Sequence, residues 1–207
     1  MASGKRKHVL LIAFLVGATA FGIYWIVKPP PDPDRWVENG KRGRFTPLMV
    51  AARKGDLDEI QYQLELGASI DKEGMAGRTP LEIAIWYGQY PAAQLLLESG
   101  ADPNHRRDLT HVDDGPLRMT IERIGGSSGA NYQLFLALLD AGADPMFEDG
   151  ELLYLAADLN QADFLDALLA AMKTETAREQ AEYLYRGRHG FKDGLDPTVL
   201  EIIERYR

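Results

Sequence analysis

From Val9 to Val27 the chain runs nineteen residues with Thr19 as its only clearly polar side chain. A helix of that length rises about 28 Å, close to the hydrocarbon thickness of a bilayer. The pattern therefore predicts a transmembrane helix over 9–27 behind a short basic tail, residues 1–8. The next stretch, KPPPDPDRWVENGKRGR (28–44), has no apolar period, and its three consecutive prolines favour an extended, semi-rigid spacer. Short amphipathic helical runs then follow one another from Phe45 to Met172. Residues 173–207 add two more: one with Ala177, Ala181, Leu184 and Tyr185 at helical spacing, and one opened by Asp196-Pro197 with Val199, Leu200, Ile203 and Tyr206 on a single stripe. The expected body is all-α.

Lys5, Arg6 and Lys7 precede the apolar run, whereas Lys28 is followed by prolines and then Asp32 and Asp34. The positive-inside rule places the N-terminus in the cytoplasm and everything after the span outside. Tyr24 and Trp25 lie near the outer end, where amphipathic rings favour the headgroup zone. A cleaved secretory signal is the competing reading, because Ala18-Thr19-Ala20 has the small-residue cleavage pattern, but FGIYWIV continues the apolar run past it. Either reading exports the body. Ala13-xxx-Gly17 and Ala18-xxx-Gly22 are spacings that let membrane helices approach closely, which gives weak self-association through the span a basis.

The helical runs repeat. FTPLMVAARKGDLDEIQYQLELGASID (45–71) and RTPLEIAIWYGQYPAAQLLLESGADPN (78–104) align without a gap, with Thr46 and Thr79 separated by 33 residues. A third unit reads GPLRMTIERI (115–124) and NYQLFLALLDAGADP (131–145), with a GGSSGA insertion between its halves. A fourth, ELLYLAADLNQADFLDALLAAM (151–172), keeps the apolar positions and loses the flanking signals. Thr-Pro-Leu, the mid-unit Gly88 and the closing Gly100-Ala101-Asp102 with Asn104 resemble the ankyrin-repeat family. The resemblance implies a solenoid of about four helix-turn-helix repeats over 45–172, closed by a helical cap over 173–207. Thr46 and Thr79 suit N-caps, the prolines after them suit the first helical position, and Gly67, Gly100 and Gly142 suit left-handed helix ends. The family's usual histidine after Thr-Pro-Leu is Met49, Glu82 and Arg118 here, so the hydrogen bonds that it makes between repeats do not carry over.

Ankyrin repeats bind chiefly proteins, through the concave face and the loops between repeats. Carried over by position, the variable surface slots are Phe45, Arg53 and Lys54 in the first repeat, and Met75, Ala76, Arg78, Trp86, Tyr87 and Arg106 in the second. Glu122 and Arg123 occupy them in the third. Ile85 replaces the second alanine of the repeat and is expected to point inward. Trp86 and Tyr87 then fall where Arg53 and Lys54 stand one repeat earlier. Rigidly held aromatics on an exposed face are typical binding anchors.

Composition narrows the chemistry. With 207 residues and 45% apolar content there is room for a sizeable core, and the absence of cysteine excludes disulfides, thiolate metal sites and thiol nucleophiles. Three of the 23 basic residues and none of the 31 acidic ones lie in 1–27, so the body is more acidic than the chain's net −8 and lacks the basic face that nucleic acid requires. Of His8, His105, His111 and His189, none forms an i, i+4 pair. His105, His111, Asp113 and Asp114 share one loop without a metal-ligand spacing. GGSSG (125–129) lacks the Gly-Lys-Ser/Thr ending of a phosphate loop, and no Ser stands in a Gly-x-Ser-x-Gly elbow. The expectation is no catalytic constellation, no metal and no cofactor.

These features describe a non-enzymatic protein-binding module on the outer face of a bacterial cytoplasmic membrane, its partner a periplasmic or secreted protein. Small exported ankyrin proteins resemble immunity proteins that neutralise a secreted antibacterial toxin such as a lipase, or accessory proteins that protect a periplasmic enzyme. An enzyme built across the acidic loops, or a self-associating anchor, are the other classes.

Overall fold

The computed structural model describes residues 32–38, 44–105, 115–122, 129–146, 150–186 and 195–207. Asp32–Arg207 forms a compact unit by itself. The segment expected to span a membrane, 9–27, lies outside the described residues, as do the basic tail and the first part of the proline spacer. Among the described residues no helix is long and apolar enough to cross a membrane.

Asp32–Arg207 is a stack of helical hairpins. After a two-stranded ribbon, β1 (Val37–Glu38) antiparallel to β2 (Arg44–Phe45), come α1 (Pro47–Lys54) and α2 (Leu57–Glu65), then α3 (Pro80–Trp86) and α4 (Tyr90–Glu98). They are followed by α5 (Pro116–Glu122) and α6 (Ala130–Asp140), α7 (Glu151–Asp158) and α8 (Ala162–Ala171), and finally α9 (Thr174–Arg186) and α10 (Pro197–Tyr206). The first helices of successive hairpins, α1, α3, α5 and α7, pack in one row, and α2, α4, α6 and α8 in a second; α9 and α10 pack on each other and both on α8. The expected repeats and the helical C-terminal pair are therefore both present.

Each hairpin forms for reasons legible residue by residue. Thr46 Oγ1 accepts the Met49 N–H at 3.3 Å and Thr79 Oγ1 the Glu82 N–H at 3.3 Å, with proline at the first helical position in both. Such a cap is worth about 1 kcal/mol. Gly55 (φ +73), Gly67 (φ +88), Gly100 (φ +92) and Gly142 (φ +90) take the left-handed conformation that ends a helix. Leu48, Ala51, Ala52, Leu81, Ala84, Ile85, Leu96, Phe135, Leu153, Ala156 and Phe164 are buried in one continuous core, and the small residues let the rows approach. α10 buries Val199, Ile202 and Ile203, an i, i+3, i+4 set, while Leu200 and Tyr206 are half-buried. The stripe expected from sequence thus sits slightly rotated.

The body begins earlier than the apolar pattern suggests. Asp32-Pro33-Asp34 repeats Asp102-Pro103-Asn104 and Asp144-Pro145-Met146, and in each the first carboxylate accepts the N–H two residues on, at 3.0, 2.8 and 2.9 Å. The turns are also linked across repeats. Asp34 Oδ1 accepts the Ser69 N–H at 3.0 Å, Asp71 Oδ1 that of Asp102 at 3.0 Å and Asn104 Oδ1 that of Asp144 at 2.7 Å. The turn at Asp32–Asp34 therefore belongs to the stack and not to a free spacer.

Candidate binding surface

The C-terminal end of α3 presents two rings side by side. Ile85 takes the inward face and is fully buried, which turns Trp86 and Tyr87 outward, each 46% exposed. Tyr87 is the helix C-cap, its N–H donating to Ile83 O at 3.0 Å, and Gly88 (φ +71) then turns the chain into α4. The rings are fixed by the backbone that ends the helix.

Cations lie on these rings. The Arg78 guanidinium carbon is 3.8 Å from the centre of the Trp86 ring, and that of Arg53, on α1, is 6.0 Å from Tyr87 and 5.2 Å from Phe45. A second exposed indole, Trp36, carries the Lys72 ammonium at 5.0 Å and the Arg44 guanidinium at 6.0 Å. Each such contact is worth about 0.5–1 kcal/mol at an exposed site. Their joint effect is to hold long side chains in fixed places across α1, α3 and the loop between them.

The residues assigned to surface slots divide. Arg53, Arg78, Trp86 and Tyr87 come together on this face, and Lys54 is exposed at the end of α1. Phe45 does not reach the surface: it is 2% exposed and packs with Met49 and Ile83 under the edge of α1, because β2 pairs with β1 and folds its ring inward. Its contribution is the inner support for Arg53. Glu122 is exposed one repeat further on, where Arg118 Nε donates to its carboxylate at 2.8 Å. The side chain of Met75, which sits in the turn Met75–Gly77, lies outside the described residues, as do Arg106 and Arg123. Trp36 was missed in the sequence, although the recurrence of Asp-Pro at 32, 102 and 144 marks its segment as part of a repeat.

The position after Thr-Pro-Leu is filled differently in each repeat. In the second, Glu82 is fully buried and its Oε2 accepts the Thr79 N–H at 2.8 Å, closing a capping box. His105, from the turn that ends the same repeat, brings Nδ1 to 3.0 Å from Glu82 Oε2 and Nε2 to 3.2 Å from Glu73 Oε1. The imidazole thus lies within ion-pairing distance of one carboxylate on the helix and one in the preceding turn. In the first repeat Met49 Sδ stands 3.4 Å from the Thr46 N–H, a weaker bond. His105 is absorbed by this network; His111, Asp113 and Asp114 lie outside the described residues. No group of three or more possible metal ligands occurs among the described residues.

The comparisons agree with this architecture. A family model described as ankyrin repeats (3 copies) matches residues 11–107, beginning inside the apolar run and so well ahead of Phe45. The putative ankyrin repeat protein YahD of Escherichia coli (strain K12) is 38% identical over 56 residues, 27% of this chain and 28% of that protein. The human GA-binding protein subunit beta-2 is 39% identical over 77 residues, 37% of this chain and 15% of its own length. The chain thus spans less than a third of each of these relatives. An ankyrin repeat domain from Acinetobacter baumannii superposes with a TM-score of 0.56 at 22% identity, covering 77% of this chain and 80% of that one, which shows the fold. Repeated hairpins, repeated turns and these matches together show that the chain carries ankyrin repeats, the kind of repeat that serves as a protein-interaction module.

Proposed function

We propose that this chain is a non-enzymatic binding module, tethered by residues 9–27 to the outer face of a bacterial cytoplasmic membrane, that captures a periplasmic protein. The capturing surface is the face built on Trp86 and Tyr87. One observation carries the reading: two large rings are held nearly half-exposed by the helix end they sit on and by cations reaching from neighbouring segments. Exposed aromatics are costly to a free surface and are the side chains that most often dominate binding energy. The anchor rests on the apolar run and on the basic cluster before it.

The test uses the full-length chain, expressed with a C-terminal tag and recovered beside a Trp86→Ala/Tyr87→Ala variant. The chain is expected in the membrane pellet until detergent is added, with a periplasmic protein that the variant loses by about 30-fold or more, the equivalent of about 2 kcal/mol. Equal recovery by both chains removes this face from the interaction, and a chain found free of the membrane fraction removes the anchor.

A further inference from the structure

The ends of α3 and α7 share one backbone geometry. Tyr87 (φ −92, ψ 4) and Leu159 (φ −83, ψ 4) each close their helix, and each is followed by a residue in the left-handed region, Gly88 at φ +71 and Asn160 at φ +54. Three backbone bonds coincide around them. The Tyr87 N–H donates to Ile83 O at 3.0 Å and the Leu159 N–H to Leu155 O at 3.0 Å. Gly88 donates to Ile85 O at 2.9 Å and Asn160 to Ala157 O at 3.0 Å, while Gln89 donates to Ala84 O and Gln161 to Ala156 O, both at 2.8 Å. The side chain at 159 therefore leaves α7 in the direction in which the one at 87 leaves α3. Both are apolar and turned outward, Leu159 at 42% and Tyr87 at 46% exposure.

In this register Trp86 corresponds to Asp158, with Glu122 midway between them at intervals of 36 residues. The three belong to one row, since α5 packs on both α3 and α7. Glu122 is met by Arg118 Nε at 2.8 Å, which closes the middle repeat as an ion pair. Asp158 differs. It is exposed, α7 contains no basic residue, and among the described residues no ion pair engages its carboxylate. The row thus reaches its fourth repeat with an exposed apolar side chain beside an uncompensated negative charge.

Packed helices lie about 8–10 Å apart, so two steps of the row separate the slots by about 16–20 Å. An extended chain rises about 3.3 Å per residue and covers that interval in about six residues. We propose that Leu159 and Asp158 form a second anchor point of the Trp86/Tyr87 surface, taking an apolar side chain and a neighbouring Lys or Arg from one extended segment of the protein partner. This rests on the reading of the Trp86/Tyr87 face as the capturing surface. The rings and Leu159 supply burial at two points, and Asp158 requires a cation at one end of the segment, which fixes the direction in which it lies.

The experiment pans a random library of about twelve-residue peptides, long enough to span both slots, on the full-length chain in detergent micelles. The affinity of enriched peptides is then measured by fluorescence anisotropy for wild type, Leu159→Ala, Asp158→Lys and Trp86→Ala/Tyr87→Ala. Leu159 and Asp158 are exposed and lie outside the core, and the melting temperature of each variant separates lost binding from lost folding. Enriched peptides are expected to carry apolar residues about six positions apart with Lys or Arg beside one of them. They are expected to weaken about fivefold with Leu159→Ala and about tenfold with Asp158→Lys. Replacing that Lys or Arg by Gln is expected to remove the difference between wild type and Asp158→Lys, the coupling that a direct contact requires. Peptides that need Trp86 and Tyr87 but are unchanged by Leu159→Ala and Asp158→Lys would overturn the second anchor and leave the capturing face standing. Peptides indifferent to the two rings, whether or not they need Leu159 and Asp158, would overturn both.

Discussion

A methyl group on Gly55 would run into the side-chain amide of Gln89, which crosses from the second repeat to sit against the turn of the first. Gly55 also holds φ +73, where a side chain costs about 1–2 kcal/mol on its own. Gly67 shares the left-handed conformation at φ +88, but nothing stands within 4 Å of where its Cβ would be. Gly55→Ala is therefore expected to destabilise the chain by about 1 kcal/mol more than Gly67→Ala in urea unfolding. Equal losses would mean that the Gln89 contact contributes nothing. At this scale the sequence was legible wherever a backbone requirement chose the residue, as with the caps Thr46 and Thr79 and the inward Ile85. It was misleading at Phe45, whose slot is variable in the family and whose direction is decided by strand pairing that no helical period reveals.

Among the elements, the C-terminal pair α9 and α10 depends most visibly on charge. Glu182 on α9 accepts from Arg207 Nε at 2.6 Å and from Arg186 Nε at 2.7 Å, and these bonds, that of Arg207 first, hold its carboxyl below the usual range. Asp196 caps α10 by accepting the Thr198 N–H at 2.8 Å, and its carboxyl is lowered by that bond. A carboxyl lowered in the folded state adds stability above its unfolded value, and that stability disappears as the pH falls through the folded one. Amide protection in α10, corrected for intrinsic exchange rates, is accordingly expected to fall from about pH 6 to about pH 3 by a larger factor than in α3. The same factor in both helices would contradict it. Apolar periodicity revealed this pair as helices, but its clasp joins residues 25 apart in sequence, Glu182 and Arg207, a pairing that only the packing of α9 on α10 creates. The turn at Asp32–Asp34 escaped for the opposite reason: its prolines read as a spacer, while its function as a repeat turn lies in hydrogen bonds to Ser69 and Lys72.

Over the whole stack, each repeat touches its neighbours through the two helix rows and the linked turns, so stability is a sum of local interfaces and the face on α1 and α3 is set by the first two repeats. Its position was readable from the repeat register, because Trp86 and Tyr87 align with Arg53 and Lys54. Its stacked cations were not, since they require Arg53 from α1 and Arg78 from the segment before α3 to meet the rings at the end of α3. The central claim is that this surface, and no other exposed aromatic, meets the partner. Tyr62 on α2 and Tyr183 on α9 are as exposed as Tyr87, at 51%, 50% and 46%, and serve as internal controls. A photo-crosslinking phenylalanine analogue placed at each of the three positions in turn, in the full-length chain, provides the direct measurement. Crosslinking to the partner at position 87, with none at 62 or 183, is the predicted result. A crosslink at 62 or 183 without one at 87 would contradict it.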